Sequence, residues 1–179
     1  MNLTLYTVLT GFITCFYGYI LISNSVKVKS LLNELLRSNK AAIILLSLGL
    51  FWFQFQHVRN LGEADFGDYK LIIGLIGCFI AVASYFYIND FISVRAFCII
   101  KLFYAREALD SAFLQEPSAR LFLVTAIYFI IIASLYFGAW PYRARDVLLW
   151  LNSDRKRSIV LGYAFLLYGL LLIGVAITY

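Results

Sequence analysis

Lys101 has the residue type and position hardest to reconcile with its surroundings, because it lies in an otherwise apolar segment, FISVRAFCIIKLFYAREA, at residues 91–108. At about 1.5 Å per residue, Arg95 lies roughly 6 Å from one end of this segment and Lys101 roughly 10 Å from the other. From its depth Arg95 can extend its charge to the membrane surface, whereas Lys101 is too deep to do so. Charges this deep in a membrane are energetically costly and point to function, so Lys101 is the first candidate and Arg95 the second.

The groups expected to solvate Lys101 are neutral, because none of the five long apolar stretches of the chain contains a carboxylate. Gln54, Gln56 and His57 lie at the end of a neighbouring apolar stretch, and tyrosine hydroxyls and backbone carbonyls are also available. Two readings stay open. Either such groups hold Lys101 for packing alone, or its counter-charge belongs to an anionic ligand, a lipid phosphate or a second subunit.

A polar loop, RNLGEADFGDYK, carries Glu63, Asp65 and Asp68 within six positions. Carboxylates this close can hold a hard cation, but their spacing does not match the EF-hand loop. Asp68 also stands where the following helix needs a cap. The loop is therefore predicted to be a solvated, capped hairpin rather than a metal site.

Other chemistry is sparse. The only histidine, His57, cannot supply both axial ligands of a haem within the chain. Arg59 follows two residues later, so the pair could act as a general acid and an anion-binding cation, but a hydrogen-bonded histidine at the polar end of an apolar span is the favoured interpretation. No nucleophile elbow, zinc-protease pair, phosphate-binding loop or dinucleotide fingerprint is present. The cysteines all lie in apolar runs without metal-site spacing: Cys15, Cys78 and Cys98. The chain is predicted not to be an enzyme and to hold neither cofactor nor metal.

The elements that must position these residues follow from composition. Of the 179 residues, 63% are hydrophobic and 14% charged, far from the balance of a water-soluble domain. A domain of this size cannot hide such an excess in one core. Five apolar stretches are long enough to cross about 30 Å of hydrocarbon: 3–23, 41–58, 69–88, 121–140 and 158–178. The sequence predicts an all-α, integral membrane helix bundle formed by one domain, residues 1–179.

The segment 91–108 is a sixth candidate span. Eight Phe, Ile, Val and Leu residues contribute roughly −3.6 kcal/mol to its insertion, less than the two central cations oppose at about 2.5–3.5 kcal/mol each. The segment can still insert as the second half of a helical hairpin, because Asn89 and Asp90 form a short polar joint to the preceding span.

Loop charge decides between five and six spans. With six spans and the amino terminus outside, nine lysines and arginines are cytoplasmic and four lie outside or near it, whereas five spans largely remove this bias. The nine are Lys27, Lys29, Arg37, Lys40, Arg143, Arg145, Arg155, Lys156 and Arg157, and the four are Arg59, Lys70, Arg106 and Arg120. Six transmembrane helices are therefore predicted, or five if 91–108 is interfacial.

Two connections are predicted to be cytoplasmic amphipathic helices at the interface. In residues 25–40, leucines recur at helical spacing on one side of the predicted helix, and charged residues lie on the other side. In 141–157, Pro141 suits a first helical turn, and the arginines can face headgroups while the apolar residues face lipid. The expected partner is a bilayer with anionic headgroups on the cytoplasmic side, with the helices serving as connections rather than specific lipid sites. The loops explain the positive charge, so nucleic acid is not an expected partner.

Three functional classes fit these features. The first is a non-catalytic subunit or assembly partner of a larger membrane complex, which suits a compact chain with an unmatched cation. The second is a small channel or transporter for an anionic or lipid-like solute, with Lys101 and Arg95 lining the route. The third and weakest is an intramembrane enzyme acting on lipid headgroups through His57 and the loop carboxylates. The first is the predicted function, in a multi-pass protein of a bacterial inner membrane with both termini outside.

Cysteine-accessibility labelling checks this topology. Ser38 and Ser153 lie in the two basic connections, so Ser38→Cys and Ser153→Cys are expected to react with a membrane-impermeant maleimide only after cells are permeabilised. The unsubstituted chain gives the background of the native cysteines. Labelling of either position from outside intact cells contradicts the predicted topology.

Overall fold

Helices account for every regular element in the part of the chain that the structure, a computed structural model, describes: residues 3–23, 25–62, 66–88 and 91–179. In chain order they are α1 (Leu3–Ser23), α2 (Val26–Arg37), α3 (Asn39–Trp52), α4 (Lys70–Tyr87), α5 (Ile92–Ala112), α6 (Arg120–Ala139), α7 (Pro141–Ser153) and α8 (Arg155–Ala176). A π-helical turn, Phe53–Val58, continues α3, and a 3₁₀ turn, Gly67–Tyr69, precedes α4. The predicted all-α bundle is confirmed.

Five of the helices are long and apolar enough to cross a membrane: α1, α3 with its π-helical continuation, α4, α6 and α8. Their large apolar side chains are widely exposed at the surface of the bundle; Phe12 of α1 is 62% exposed and Phe79 of α4 is 74% exposed. Such a surface is stable in hydrocarbon and unfavourable in water. The chain therefore has the character of a helical membrane protein.

The sixth bundle helix, α5, is longer than its predicted segment and carries charged residues in its interior, whereas the charges of the other five bundle helices lie in their first turns. Near its start, Ser93 Oγ donates a hydrogen bond to Leu36 O of α2 over 2.7 Å. At its other end, Arg120 Nη1 donates to Ala112 O over 3.0 Å. Because α2 also packs against α7, α5 runs from the α2/α7 end of the bundle to the opposite end, called the far end below. The polar joint at 89–90 lies outside the described residues.

Helices α1 and α8 pack antiparallel and in close contact through glycines spaced seven residues apart on each helix. A Cβ atom added at Gly18 of α1 would lie 2.7 Å from Gly162 O of α8. One added at Gly169 of α8 would lie 2.8 Å from both Cys15 N and Gly11 O. The two backbones are therefore in contact, as in many membrane helix pairs whose interface consists of small residues.

Both amphipathic helices turn into the next span through a single capping residue. Ser38 Oγ accepts a hydrogen bond from Ala41 N over 3.2 Å at the start of α3. Asp154 Oδ1 accepts one from Lys156 N over 2.9 Å at the start of α8. Pro141 occupies the first turn of α7, as predicted. Such caps satisfy backbone N–H groups that a helix leaves free at its start, so each joint can be one residue long.

The glycine contact can be tested with Gly169→Ala. The new Cβ would meet backbone atoms of α1, so we expect the free energy of unfolding to fall by about 1–3 kcal/mol. Gly174→Ala in the same helix is the control, because nothing lies within 4 Å of its added Cβ. Thermal unfolding in detergent, followed by circular dichroism, measures the difference. Equal unfolding temperatures would show that the close contact does not stabilise the bundle.

Candidate functional site

Lys101 lies near the middle of α5. It follows Ile92 by nine residues and precedes Ala112 by eleven, which places it about 14 Å and about 16 Å from the two helix ends. This is deeper than predicted, because α5 continues beyond residue 108. The ammonium therefore cannot reach water along its own side chain at either end.

The Lys101 ammonium lies over two aromatic rings. Its Nζ is 4.4 Å from the ring centroid of Phe97 and 5.5 Å from that of Tyr17 in α1. The faces of aromatic rings attract cations electrostatically. The ion pairs among the described residues all lie elsewhere. We call Lys101, Tyr17 and Phe97 the Lys101 niche; Phe97 is 38% exposed, so the niche borders the bundle surface.

Arg95, the second predicted cation, lies on a different side of α5. Six residues separate it from Lys101, a rotation of about 120° around the helix axis. Its Nε atom is buried and has no hydrogen-bond partner among the described residues. The two cations therefore do not share a face of α5, and the extension of Arg95 to the membrane surface stays a prediction.

The polar residues predicted to solvate Lys101 lie on the π-helical turn and bind other groups. Gln54 Nε2 donates to Gly74 O of α4 over 2.7 Å, and Gln56 Nε2 donates to Glu107 Oε2 of α5 over 3.2 Å. A π-helical turn widens the helix and occurs frequently at functional sites. Here it joins α3 to both α4 and α5, and within the described residues neither glutamine bonds to Lys101.

Glu107 is the candidate that the sequence analysis missed. It is only 6% exposed, and a carboxylate buried to this extent requires hydrogen-bond donors. Its position beside Arg106 near the end of the predicted segment made it resemble a surface residue. The usable signal in the sequence was spacing: Glu107 and Ser111 lie one turn apart and so share a face of the helix. The structure shows that both residues are buried.

His57 is enclosed by aromatic rings. Its ring centroid lies 4.9 Å from that of Phe103 and 6.2 Å from that of Phe53. Both ring nitrogens are buried without a hydrogen-bond partner among the described residues, so the hydrogen bond expected for this histidine is not formed there. We call Gln54, Gln56, His57 and Glu107 the π-turn cluster.

The predicted hairpin loop contributes no described site. Asp68 is exposed within the 3₁₀ turn, and the capping position of α4 is Tyr69, whose side chain makes no capping bond. The predicted Asp68 cap is therefore wrong, because the 3₁₀ turn places this residue one position too early. Glu63 and Asp65 lie outside the described residues. Where the structure describes the chain, no three His, Cys, Asp or Glu residues are grouped to hold a metal ion.

The bond between Gln56 and Glu107 can be tested by a double-mutant cycle. Gln56→Leu leaves the buried carboxylate without this donor, so we expect a loss of about 1–3 kcal/mol in unfolding free energy. Adding Glu107→Leu is expected to recover part of that loss, because both polar partners are then gone. Gln115→Leu, at an exposed position, is the control. Strictly additive effects in detergent unfolding would rule out the interaction.

Comparison of the chain with protein-family models, with curated proteins and with solved structures finds no match. Its function is therefore inferred from the Lys101 niche and the π-turn cluster. Both arrangements place polar groups of α5 against neighbouring helices.

Proposed function

We propose that the chain is a non-catalytic subunit or assembly partner of a larger membrane complex. The observation that carries the proposal is the Lys101 ammonium, held in the middle of α5 by aromatic rings with no described carboxylate nearby. Intramembrane charges are retained for function and are paired where possible. A carboxylate on a transmembrane helix of the partner would complete this pair.

The niche favours such a partner because its geometry is already formed. The rings of Tyr17 and Phe97 fix the ammonium, which reduces the side-chain ordering needed on binding. The partial exposure of Phe97 leaves the niche beside the bundle surface. A carboxylate of a partner helix can approach the niche from this surface.

The two amphipathic helices support a second contact, with anionic lipid headgroups. Helices α2 and α7 pack together at one end of the bundle, where Lys29, Arg143 and Arg145 add positive charge. By the positive-inside rule this end faces the cytoplasm, with both termini outside. The protein would then be a multi-pass protein of a bacterial inner membrane, anchored electrostatically on its cytoplasmic side.

A channel or transporter for an anionic or lipid-like solute is the second candidate. It ranks lower because Lys101 and Arg95 lie about 120° apart on α5 and so do not line one route. An enzyme acting on lipid headgroups ranks third. His57, its expected acid, is enclosed by Phe53 and Phe103 instead of being directed toward a headgroup.

Co-purification of the full chain from its native membrane in mild detergent tests the proposal. The unsubstituted chain is expected to recover a stoichiometric membrane-protein companion. Lys101→Met should preserve insertion and reduce that recovery at least tenfold, because breaking a buried charge pair costs about 2–5 kcal/mol. Arg95→Met, a cation removed from another side of the same helix, is the control and should retain the companion.

Two outcomes would contradict the proposal. Retention of the companion by Lys101→Met would show that the niche is not the docking point. Purification of the unsubstituted chain alone or as a homo-oligomer would favour transport, and Lys101→Met should then abolish solute movement while leaving the assembly unchanged.

A further inference from the structure

An opening lies on the surface of α5 between α1 and α3, each of which packs against α5. A Cβ atom added at Gly49 of α3 would lie 3.6 Å from Ile100 Cγ1, and the ring of Tyr17 in α1 lies beside the Lys101 ammonium. Ile100 and Lys101 are consecutive, so these two neighbours meet α5 about 100° apart. Phe97 precedes them by three and four residues and therefore lies between the two sides. Its ring, on a residue that is 38% exposed, forms the floor of the opening.

Two isoleucines of α1 form one wall of this opening. Thr10 and Tyr17 face α5. Ile13 and Ile20 each follow one of them by three residues, which places the isoleucines about 60° around the helix. The glycines that contact α8 follow Thr10 and Tyr17 by one residue, about 100° in the other direction. Both isoleucines are half-buried and lie on the side of α1 that is turned away from α8.

Leu45 and Trp52 of α3 form the other wall. They lie four residues before and three residues after Gly49, on one side of the helix, and both are half-buried. Phe53 lies on another side of α3, where its Cε1 atom is 2.6 Å from a Cβ added at Gly77 of α4. Helix α4 therefore packs on a different side of α3 from Leu45 and Trp52. We call this opening the α1/α3 groove, which is formed by Phe97, Lys101, Ile13, Ile20, Leu45 and Trp52.

The α1/α3 groove is apolar apart from one ammonium. Lys101 is half-buried, and its Nζ lies 4.4 Å from the ring centroid of Phe97, between the floor and the α1 wall. The other side chains of the groove carry no charge. An occupant therefore meets a single positive charge near the middle of its length and hydrocarbon elsewhere. Charge complementarity favours an occupant that carries one carboxylate at this depth.

The depth of Lys101 excludes a lipid headgroup as the source of that carboxylate or of a phosphate. Lys101 lies about 14 Å and about 16 Å from the two ends of α5, whereas headgroups lie at the two membrane surfaces. An anion at mid-depth must be carried into the hydrocarbon by a membrane-spanning segment, and such charges are paired where possible. A transmembrane helix with one acidic residue near its centre meets this requirement.

A second copy of this chain does not supply the required carboxylate. Helices α1, α3, α4, α6 and α8 contain no aspartate or glutamate. On α5, Glu107 is only 6% exposed and accepts a hydrogen bond from Gln56. Asp110 lies at the far end of α5, beside Arg106. The occupant that fits the α1/α3 groove is therefore a different protein.

We propose that the α1/α3 groove binds one transmembrane helix of a different protein, a helix that is apolar except for a single carboxylate at mid-membrane, which pairs with the Lys101 ammonium. This inference rests on the proposed function and adds to it the docking surface, the form of the partner and the exclusion of self-association. The partner helix covers Phe97 and packs against both walls of the groove. The aromatic rings already hold the ammonium in place, so less side-chain ordering is needed on binding.

Association with a synthetic helix in vesicles tests the pairing. The probe is a dye-labelled transmembrane peptide of about 20 leucines and alanines with one glutamate at its centre, and energy transfer to the dye-labelled full chain in phosphatidylcholine vesicles reports binding. We expect this peptide to bind about tenfold more tightly than the same peptide with a central glutamine, the effect of one polar pair between membrane helices. Lys101→Met should remove the difference between the two peptides, and Arg95→Met, the control, should retain it.

Photochemical cross-linking tests the docking surface. A benzoyl-phenylalanine introduced at Ile13 or at Leu45, one in each wall of the α1/α3 groove, should cross-link to the glutamate peptide. The same group at Phe79 of α4 or at Leu167 of α8 is the matched control, because these residues are 74% and 66% exposed on other helices. Cross-links from the two controls are expected to stay at the background level of the glutamine peptide.

Three results would overturn the groove proposal. Equal binding of the glutamate and glutamine peptides to the unsubstituted chain would show that no charge pair forms, and this comparison does not depend on the folding of a variant. Equal cross-linking from the groove and control positions would place the partner elsewhere. Association of two copies of the chain that the glutamate peptide displaces would identify a second copy as the occupant. The proposed function has a separate readout, since its failure is the absence of a companion from the native membrane, whether or not the peptide binds.

Discussion

The bundle depends on keeping the charged residues in the interior of one helix, α5, out of contact with hydrocarbon. Helix α5 carries Arg95 and Lys101 in its first half and Glu107 in its second, and such a helix inserts poorly by itself. The structure places it against α3 and α6, with α1 on the side of Lys101. The exposed pair of Arg106 and Asp110, 3.8 Å apart, lies at the far end, where charges can meet water. The apolar helices therefore pack around α5 in place of lipid, and their outward faces form the surface that contacts lipid.

The close contact of α1 with α8 determines which residues α1 presents to α5. Gly11 and Gly18 hold one face of α1 against the backbone of α8. Thr10 and Tyr17 each precede one of these glycines and so lie about 100° around the helix, facing Tyr104 and Lys101. A side chain at either glycine would separate the helices and move the hydroxyl groups. Packing at one interface thus sets the chemistry at another, as expected for tightly packed interiors.

The π-helical turn that continues α3 forms side-chain hydrogen bonds to both α4 and α5. An ordinary α-helix has 3.6 residues per turn, and the wider turn changes the direction of the side chains that follow. In this arrangement Gln54 reaches α4 while Gln56, two residues later, reaches Glu107 on α5. The same turn leaves His57 enclosed between aromatic rings, with its nitrogens unpaired among the described residues. A local departure from α-helical geometry therefore supplies a donor to a buried carboxylate and at the same time isolates the histidine.

The sequence by itself determined the helical bundle, the approximate spans and the two amphipathic connections, because membrane insertion and amphipathicity depend on composition and spacing within one segment. It also singled out Lys101, since depth along a helix is a local property. Only the tertiary structure decided that Glu107 is buried, that aromatic rings rather than glutamines meet Lys101, and that Asp68 does not cap α4. These features depend on which face of one helix meets another that is distant in sequence. The seven-residue glycine spacing was visible in the sequence, but its significance required two helices at opposite ends of the chain to be brought into contact.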